Sequence, residues 1–138
     1  MRVFLDANIL FSATFSKGHL SAFLGELRHH AILLTNEYAL IEAQRNIAVK
    51  ASRRLATHKK FVASLELVPI HLFDLEVRLA SKDQPILCGA INGRADFLLT
   101  GDKKDFGHLY GETIHGVRIV SVELMVEELI SRGITREA

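Results

Sequence analysis

The chain has 138 residues, of which 49% are hydrophobic and 24% are charged, a composition typical of one globular domain with a sizeable core. The formal net charge of +1 gives no indication of a nucleic-acid partner, so any such preference must arise from local clusters of charge. The single cysteine, Cys88, excludes an intrachain disulfide and a cysteine-rich zinc site. From the length and composition we predict that residues 1–138 form one domain.

Short buried strands are predicted to alternate with helices. In chain order, we predict a strand at 3–5, a helix at 19–27, a strand at 31–34, helices at about 37–50 and 54–65, a strand at 67–68, helices at 72–80 and 85–93, strands at 97–100 and 117–120, and a helix at 122–130. The strands are continuous apolar runs, which is typical of burial on both faces. This alternation predicts an α/β fold built from parallel β–α–β units.

The chain is also predicted to be cytoplasmic. An acid, Asp6, follows the first strand too early for a signal peptide. No run approaches the roughly 20 apolar residues that a membrane span needs. We therefore expect no membrane partner.

Two acids follow predicted strands. Asp6 comes directly after the first strand, and Asp102 follows the strand at 97–100. Parallel sheets place working residues outside the carboxyl ends of their strands, so the two acids are expected at one edge. Either acid alone is equally well explained as a turn residue or a helix cap.

Two further acids are candidates for the same site. Glu42 belongs to a helical stripe of Tyr38, Ile41, Arg45 and Val49, which we expect to face inward. A simple ion pair with Arg45 is the alternative. Asp83 precedes Gln84-Pro85 and is equally suited to cap the helix that follows, although a cap can also lie at the active edge of a sheet.

An acid-only cluster predicts a divalent cation. Carboxylates held close together raise one another's pKa unless a cation lies between them. Oxygen ligands without histidine or cysteine favour Mg²⁺ or Mn²⁺ over zinc. The chemistry that such a site supports is phosphoryl hydrolysis.

Basic and polar residues extend the candidate site. Between Glu42 and Glu66 there is no acid, and six basic residues give a local charge of +6: Arg45, Lys50, Arg53, Arg54, Lys59 and Lys60. This stretch is either the solvated face of two helices or a surface that binds phosphates. Lys103 is likewise either a phosphate-binding residue or an exposed turn lysine. Asn8 either orients water at the site or caps the helix that follows it. Thr100 either has a similar role or simply ends its strand. Asp105 is either a fifth acid of the site or, as we interpret it, a surface turn residue.

Three segments carry a resemblance to a known family. They are residues 3–10, VFLDANIL; residues 82–87, KDQPIL, with Ala90; and residues 95–102, ADFLLTGD. With Glu42 in the intervening helix, they resemble the PIN domain, the nuclease fold that includes the VapC toxins of bacterial and archaeal toxin–antitoxin pairs. The resemblance spans nearly the whole chain.

The resemblance implies a PIN-like three-layer α/β/α fold with a central, mainly parallel sheet. It implies cleavage of RNA that depends on Mg²⁺ or Mn²⁺, with Asp6, Glu42, Asp83 and Asp102 as metal ligands or organisers of water. It also implies a cognate antitoxin as partner and a homodimer. The alternative is a PIN-like RNA-binding or scaffolding protein without catalysis. A haloacid-dehalogenase-type phosphatase is excluded because it needs an aspartate where Asn8 stands.

Overall fold

The computed structural model describes residues 1–15 and 18–134, which form a central sheet surrounded by helices. In chain order the elements are β1 (Arg2–Leu5), α1 (Ala7–Ser12), α2 (His19–Leu27), β2 (Ile32–Asn36), α3 (Glu37–Lys50), α4 (Leu55–Val62), β3 (Glu66–Val68), α5 (Gln84–Asn92), β4 (Phe97–Leu99), α6 (Lys103–Phe106), β5 (Thr113–Ile114), β6 (Val117–Val120) and α7 (Val122–Ser131). Single 3₁₀ turns cover Ser52–Arg54, Ser81–Asp83 and Gly107–Leu109.

The sheet has six strands in the order β3-β2-β1-β4-β6-β5. Every neighbouring pair is parallel except β5 with β6. Val3, Phe4 and Leu5 of β1 are all fully buried. Because successive side chains of a strand point to opposite faces, both faces of the sheet are covered. The prediction of a mainly parallel sheet between two helical layers is confirmed.

The register of β1 and β4 fixes the edge that matters for function. Leu5 is the partner of Leu99, and the backbone N–H of Asp6 donates to the Leu99 carbonyl at 3.1 Å. Asp6 and Thr100 therefore leave neighbouring strands side by side. Because Asp102 follows Thr100 closely, this register also brings the segments that carry Asp6 and Asp102 to one edge of the sheet, as predicted.

Helix α5 lies close against the centre of the sheet because Gly89 has no side chain. A Cβ atom at this position would lie 2.9 Å from the Phe4 ring and 2.5 Å from Asn36 Nδ2. Asn36 caps α3 by accepting from Ala39 N at 3.0 Å, and its Nδ2 donates to the Pro85 carbonyl at 3.1 Å. This buried amide thus ties the start of α3 to the start of α5.

Our prediction for the inward face of α3 was wrong. Its buried residues are Ala39, Leu40, Ala43 and Ile47, whereas Glu42 and Arg45 are exposed. The small alanines let α3 approach its neighbours closely, which the larger apolar side chains at other positions would prevent. Glu42 therefore faces solvent rather than the core.

The predicted helix over 72–80 is also wrong, since the described residues 69–80 contain none. The Asp74 side chain accepts from the backbone N–H of Glu76 at 3.0 Å, a local turn that competes with helical hydrogen bonding. Glu76 itself has a left-handed φ of 56°, which a right-handed helix cannot accommodate. Leu75 and Leu79 are buried from an irregular segment instead.

Within the part of the chain that the structure describes, no helix is both long and apolar enough to cross a bilayer.

Candidate metal centre

Asp6 is a buried carboxylate at the end of β1, only 3% exposed. Its Oδ1 accepts from Ala7 N at 2.6 Å, and its Oδ2 accepts from Thr100 Oγ1 at 2.8 Å. Burial raises the pKa of Asp6 to about 6, and the negative charges of Glu42 and Asp83 add to the rise despite the two hydrogen bonds. The side chain is therefore costly to ionise unless positive charge lies nearby.

Thr100 connects Asp6 to Asp102. Its hydroxyl donates to Asp6 and accepts from the backbone N–H of Asp102 at 3.1 Å, and its carbonyl accepts from Tyr110 Oη at 2.9 Å. Asn8 makes a second connection, since its Oδ1 accepts from Gly101 N at 2.9 Å. The two polar residues that we had placed beside the acids hold the β4–α6 loop against β1 and α1.

Three carboxylates converge beside this loop. One oxygen each from Asp83, Asp102 and Asp105 lies within 4.8 Å of the others. Asp102 also caps α6 by accepting from Asp105 N at 3.0 Å. These three aspartates, which we call the acidic cluster, bring together two of the predicted acids and one that we had interpreted as a surface residue.

Asp83 carries the clearest sign of a missing ligand. It is 6% exposed, and within residues 1–15 and 18–134 its Oδ2 has no hydrogen-bond partner. Asp83 occupies the N-cap position of α5, as the alternative interpretation has it, but its side chain makes no capping hydrogen bond with the described start of that helix. Burial raises the pKa of Asp83, and this outweighs the neighbouring Lys82, which lowers it; the charges of Asp105 and Asp102 add smaller increases.

Lys82 supplies the positive charge at the acidic cluster. Its Nζ lies 2.5 Å from Asp105 Oδ2, 3.3 Å from Asp83 Oδ2 and 3.9 Å from Asp102 Oδ2. The contact with Asp83 is close enough for an ion pair but lacks the direction of a hydrogen bond. The hydrogen bond to Asp105 is the main reason that the pKa of Lys82 is raised.

Glu42 lies at the periphery of the site. It is exposed and lines a groove of about 210 Å³ with Tyr38, Ile41 and Arg45. The expected alternative, an ion pair between Glu42 and Arg45, is not formed by these two described side chains. Its charge nevertheless contributes to the raised pKa of Asp6, so Glu42 belongs to the electrostatic surroundings of that acid.

Lys82 was missed by reasoning from the sequence, and Asp105 was considered as a fifth acid but interpreted instead as a surface turn residue. The signal for Asp105 is its position three residues after Asp102, which places both carboxylates on one helical turn. Lys82 has a weaker signal, because its partner Asp105 is 23 residues away in sequence.

The acidic cluster fits a divalent cation, although of the four predicted ligands it brings together only Asp83 and Asp102 and includes neither Asp6 nor Glu42. The side-chain ligand atoms are all carboxylate oxygens, the donor set that Mg²⁺ and Mn²⁺ prefer. The unsatisfied Oδ2 of Asp83 is a buried acceptor that a cation would satisfy. The residues present therefore fit the predicted metal.

The predicted substrate-binding residues differ in exposure and in the contacts of their side chains. Arg45, Arg53 and Lys103 are exposed. Arg54 is half-buried, stacks 4.2 Å above the Phe15 ring centroid and donates to the Thr14 carbonyl at 3.2 Å. The first three can reach a polyanion without breaking a contact of this kind.

The fold is PIN-like, and solved structures share it. The chain aligns over 88% of its length with 98% of a chain in VapBC2 from Rickettsia felis bound to a DNA fragment from their promoter, with 18% identity and a TM-score of 0.62. Over the same shares it matches DNA-bound VapBC from Salmonella typhimurium, with 18% identity and a TM-score of 0.58. For VapBC-1 from nontypeable Haemophilus influenzae the identity is 12% and the TM-score 0.56, again over 88% and 98%.

These comparisons confirm the predicted resemblance to VapC-like PIN domains at the level of the fold. No family model matches the sequence, and no curated protein matches it significantly.

Proposed function

We propose that the chain is a metal-dependent endoribonuclease that hydrolyses RNA phosphodiester bonds. The observation that carries the proposal is the acidic cluster at the carboxyl edge of the sheet, in which a buried oxygen of Asp83 has no hydrogen-bond partner among the described residues. Structural aspartates are normally satisfied by N–H groups or cations. Here one ammonium, that of Lys82, faces three carboxylates and makes only an ion-pair contact of 3.3 Å with the Asp83 oxygen. A divalent cation would compensate the cluster more fully.

The residues of the chain have different roles at this site. Asp83, Asp102 and Asp105 would hold a Mg²⁺ or Mn²⁺ ion, and Asp6 and Glu42 would add negative charge near it. When bound, such a cation stabilises the negative charge that develops on a phosphodiester during hydrolysis. Thr100 keeps Asp6 and Asp102 in fixed relative positions through its hydroxyl group.

RNA as substrate is supported by the resemblance to PIN nucleases and by the distribution of basic residues. Arg45 shares a groove with Glu42, and Lys103 begins the helix that Asp102 caps. A polyanion approaching the acidic cluster would meet these two side chains first. Their charges would offset the repulsion between phosphates and the cluster.

Cleavage of a mixed RNA pool tests the proposal. The wild type is assayed with Mn²⁺, Mg²⁺ or EDTA beside Asp83→Asn and the matched control Asp74→Asn, which changes an exposed acid outside the cluster. We expect cleavage by the wild type and the control, loss of cleavage in EDTA, and a loss of at least about a hundredfold in Asp83→Asn. Equal cleavage by all three proteins would contradict the proposal.

RNA binding without cleavage by the wild type would instead favour the non-catalytic alternative. Filter binding of the same RNA pool by the wild type identifies this outcome. Asp83→Asn should retain its affinity for RNA, so that its loss of cleavage is not a loss of binding.

We further propose that the nuclease is the toxin of a toxin–antitoxin pair. The solved structures that share its fold are of VapBC assemblies. Expression of the chain alone should stop growth, and co-expression of a small DNA-binding protein encoded beside it should restore growth. Growth arrest that persists in Asp83→Asn would contradict a toxic activity at this site.

Sedimentation equilibrium tests the homodimer that the resemblance implies.

A further inference from the structure

Lys82 occupies the place where the acidic cluster needs a cation. Its ammonium group lies within 3.9 Å of all three carboxylates, and closest to Asp105. One ammonium cannot balance three carboxylates, and it leaves the buried Oδ2 of Asp83 without a directional hydrogen bond. The lysine therefore compensates the cluster only in part.

The backbone of Lys82 is held while its side chain is accessible. Its carbonyl accepts from Tyr38 Oη at 2.7 Å, and the next residue, Asp83, donates its N–H to Ala80 at 2.9 Å. The Lys82 side chain is 58% exposed, so solvent lies beside the flexible methylene stem. The ammonium can leave the cluster by rotation of this stem, without movement of the backbone.

A divalent cation and the ammonium compete for the same oxygens. The ligand atoms of Asp83, Asp102 and Asp105 lie within 4.8 Å of one another, a spacing that surrounds a single cation. Two positive groups in this space would repel each other, and the ammonium has no lone pair with which to coordinate a metal.

We propose that Lys82 is an internal counter-ion that holds the acidic cluster together in the metal-free protein and is displaced when the metal binds. The inference rests on the proposed metal site and adds its regulation: the lysine sets the concentration of metal that is needed to load it. Displacement also releases a tethered positive charge beside the site that RNA approaches.

Metal affinity of a variant without the ammonium tests the inference. Lys82→Met keeps the stem, and Lys104→Met is the matched control, since Lys104 is exposed and lies on α6 between two of the cluster's acids. In calorimetric titrations with MnCl₂ at low salt, we expect Lys82→Met to bind about tenfold or more tightly than the wild type, and Lys104→Met within about twofold. In the absence of metal, Lys82→Met should have a lower Tm than both, and Mn²⁺ should restore it.

A second measurement needs only the wild type and so does not depend on the folding of a variant. Mass spectrometry would follow the acylation of individual lysines by an amine-reactive reagent with and without Mn²⁺. We expect Mn²⁺ to increase the modification of Lys82 several-fold, because the expelled amine loses its partners, and to leave Lys104 unchanged.

These experiments distinguish failure of the inference about Lys82 from failure of the proposed metal site. Equal Mn²⁺ affinity of wild type and Lys82→Met, or unchanged reactivity of Lys82 on Mn²⁺ binding, would overturn the role of the lysine and leave the metal site intact. If neither protein binds Mn²⁺ at millimolar concentration, the proposed metal site itself is wrong, and the inference about Lys82 is overturned with it.

Discussion

Replacement of Asp6 by asparagine should change how the stability of the metal-free protein depends on pH. Burial raises the pKa of Asp6 from 3.8 to about 6, so the native state holds a proton that the unfolded state has already released. Between about pH 4 and pH 6 the native state binds more protons, and stability falls as the pH rises through this range. The shift corresponds to a loss of up to about 3 kcal/mol by pH 7.

Asp6→Asn removes this titration while preserving the shape of the side chain. Relative to the wild type, the free energy of unfolding of the variant should therefore rise by up to about 3 kcal/mol between pH 4 and pH 7. Urea unfolding, followed by circular dichroism in EDTA, measures this difference at several pH values. Saturating Mn²⁺ should stabilise the wild type at pH 7 far more than the variant, because the cation offsets the buried charge.

The exposed-acid variant Asp74→Asn serves as control for a general effect of removing negative charge. A stability difference between wild type and Asp6→Asn that stays constant across pH 4 to 7 would refute the argument. It would mean that Asp6 is ionised at no cost in the folded protein.

Three further predictions concern other parts of the chain. His58 is fully buried, neither ring nitrogen has a partner among the described residues, and burial lowers its pKa. As the pH falls, the unfolded state therefore binds a proton at this histidine before the native state does, and stability is lost below about pH 6.5. His58→Leu should remove this part of the loss, as measured by urea unfolding. Gly89→Ala should cost about 1–3 kcal/mol in the same assay, because the added methyl group meets the Phe4 ring. Arg45→Gln combined with Arg53→Gln should reduce the slope of log affinity for single-stranded RNA against log salt by about 1.4.

Each of these has a clear contrary result. An unchanged acid limb in His58→Leu, full stability in Gly89→Ala, or an unchanged salt slope in the double arginine variant would show that the corresponding residue lacks the assigned role.

The sheet edge that carries Asp6 and Asp102 could be predicted from the sequence because the strands are unambiguous. Their apolar runs are buried on both faces, and an acid directly follows one of the two central strands. Once β1 and β4 are parallel neighbours, the register of Leu5 with Leu99 brings Asp6 and Thr100 together. The pairing of β1 with β4 thus determines which residues lie together at this edge.

The errors have local physical causes. Periodicity gave the wrong face of α3 because Ala39 and Ala43 pack closest while the larger Ile41 and Val49 are exposed. The helix predicted at 72–80 was excluded by the Asp74 turn and the left-handed Glu76. Neither effect is visible in a count of apolar residues.

The composition of the acidic cluster depends on contacts between distant segments. Lys82 meets Asp105 across 23 residues of sequence, and their approach follows from how the 3₁₀ turn at Ser81–Asp83 packs beside α6. Sequence spacing alone carries no information about such side-chain convergence.

A crystal structure of the protein with Mn²⁺, recorded at a wavelength where manganese scatters anomalously, would locate the metal. We expect one anomalous peak within about 2.0–2.4 Å of carboxylate oxygens of Asp83, Asp102 and Asp105. Absence of such a peak at saturating Mn²⁺, or a peak only at other residues, would contradict a metal centre at this edge of the sheet.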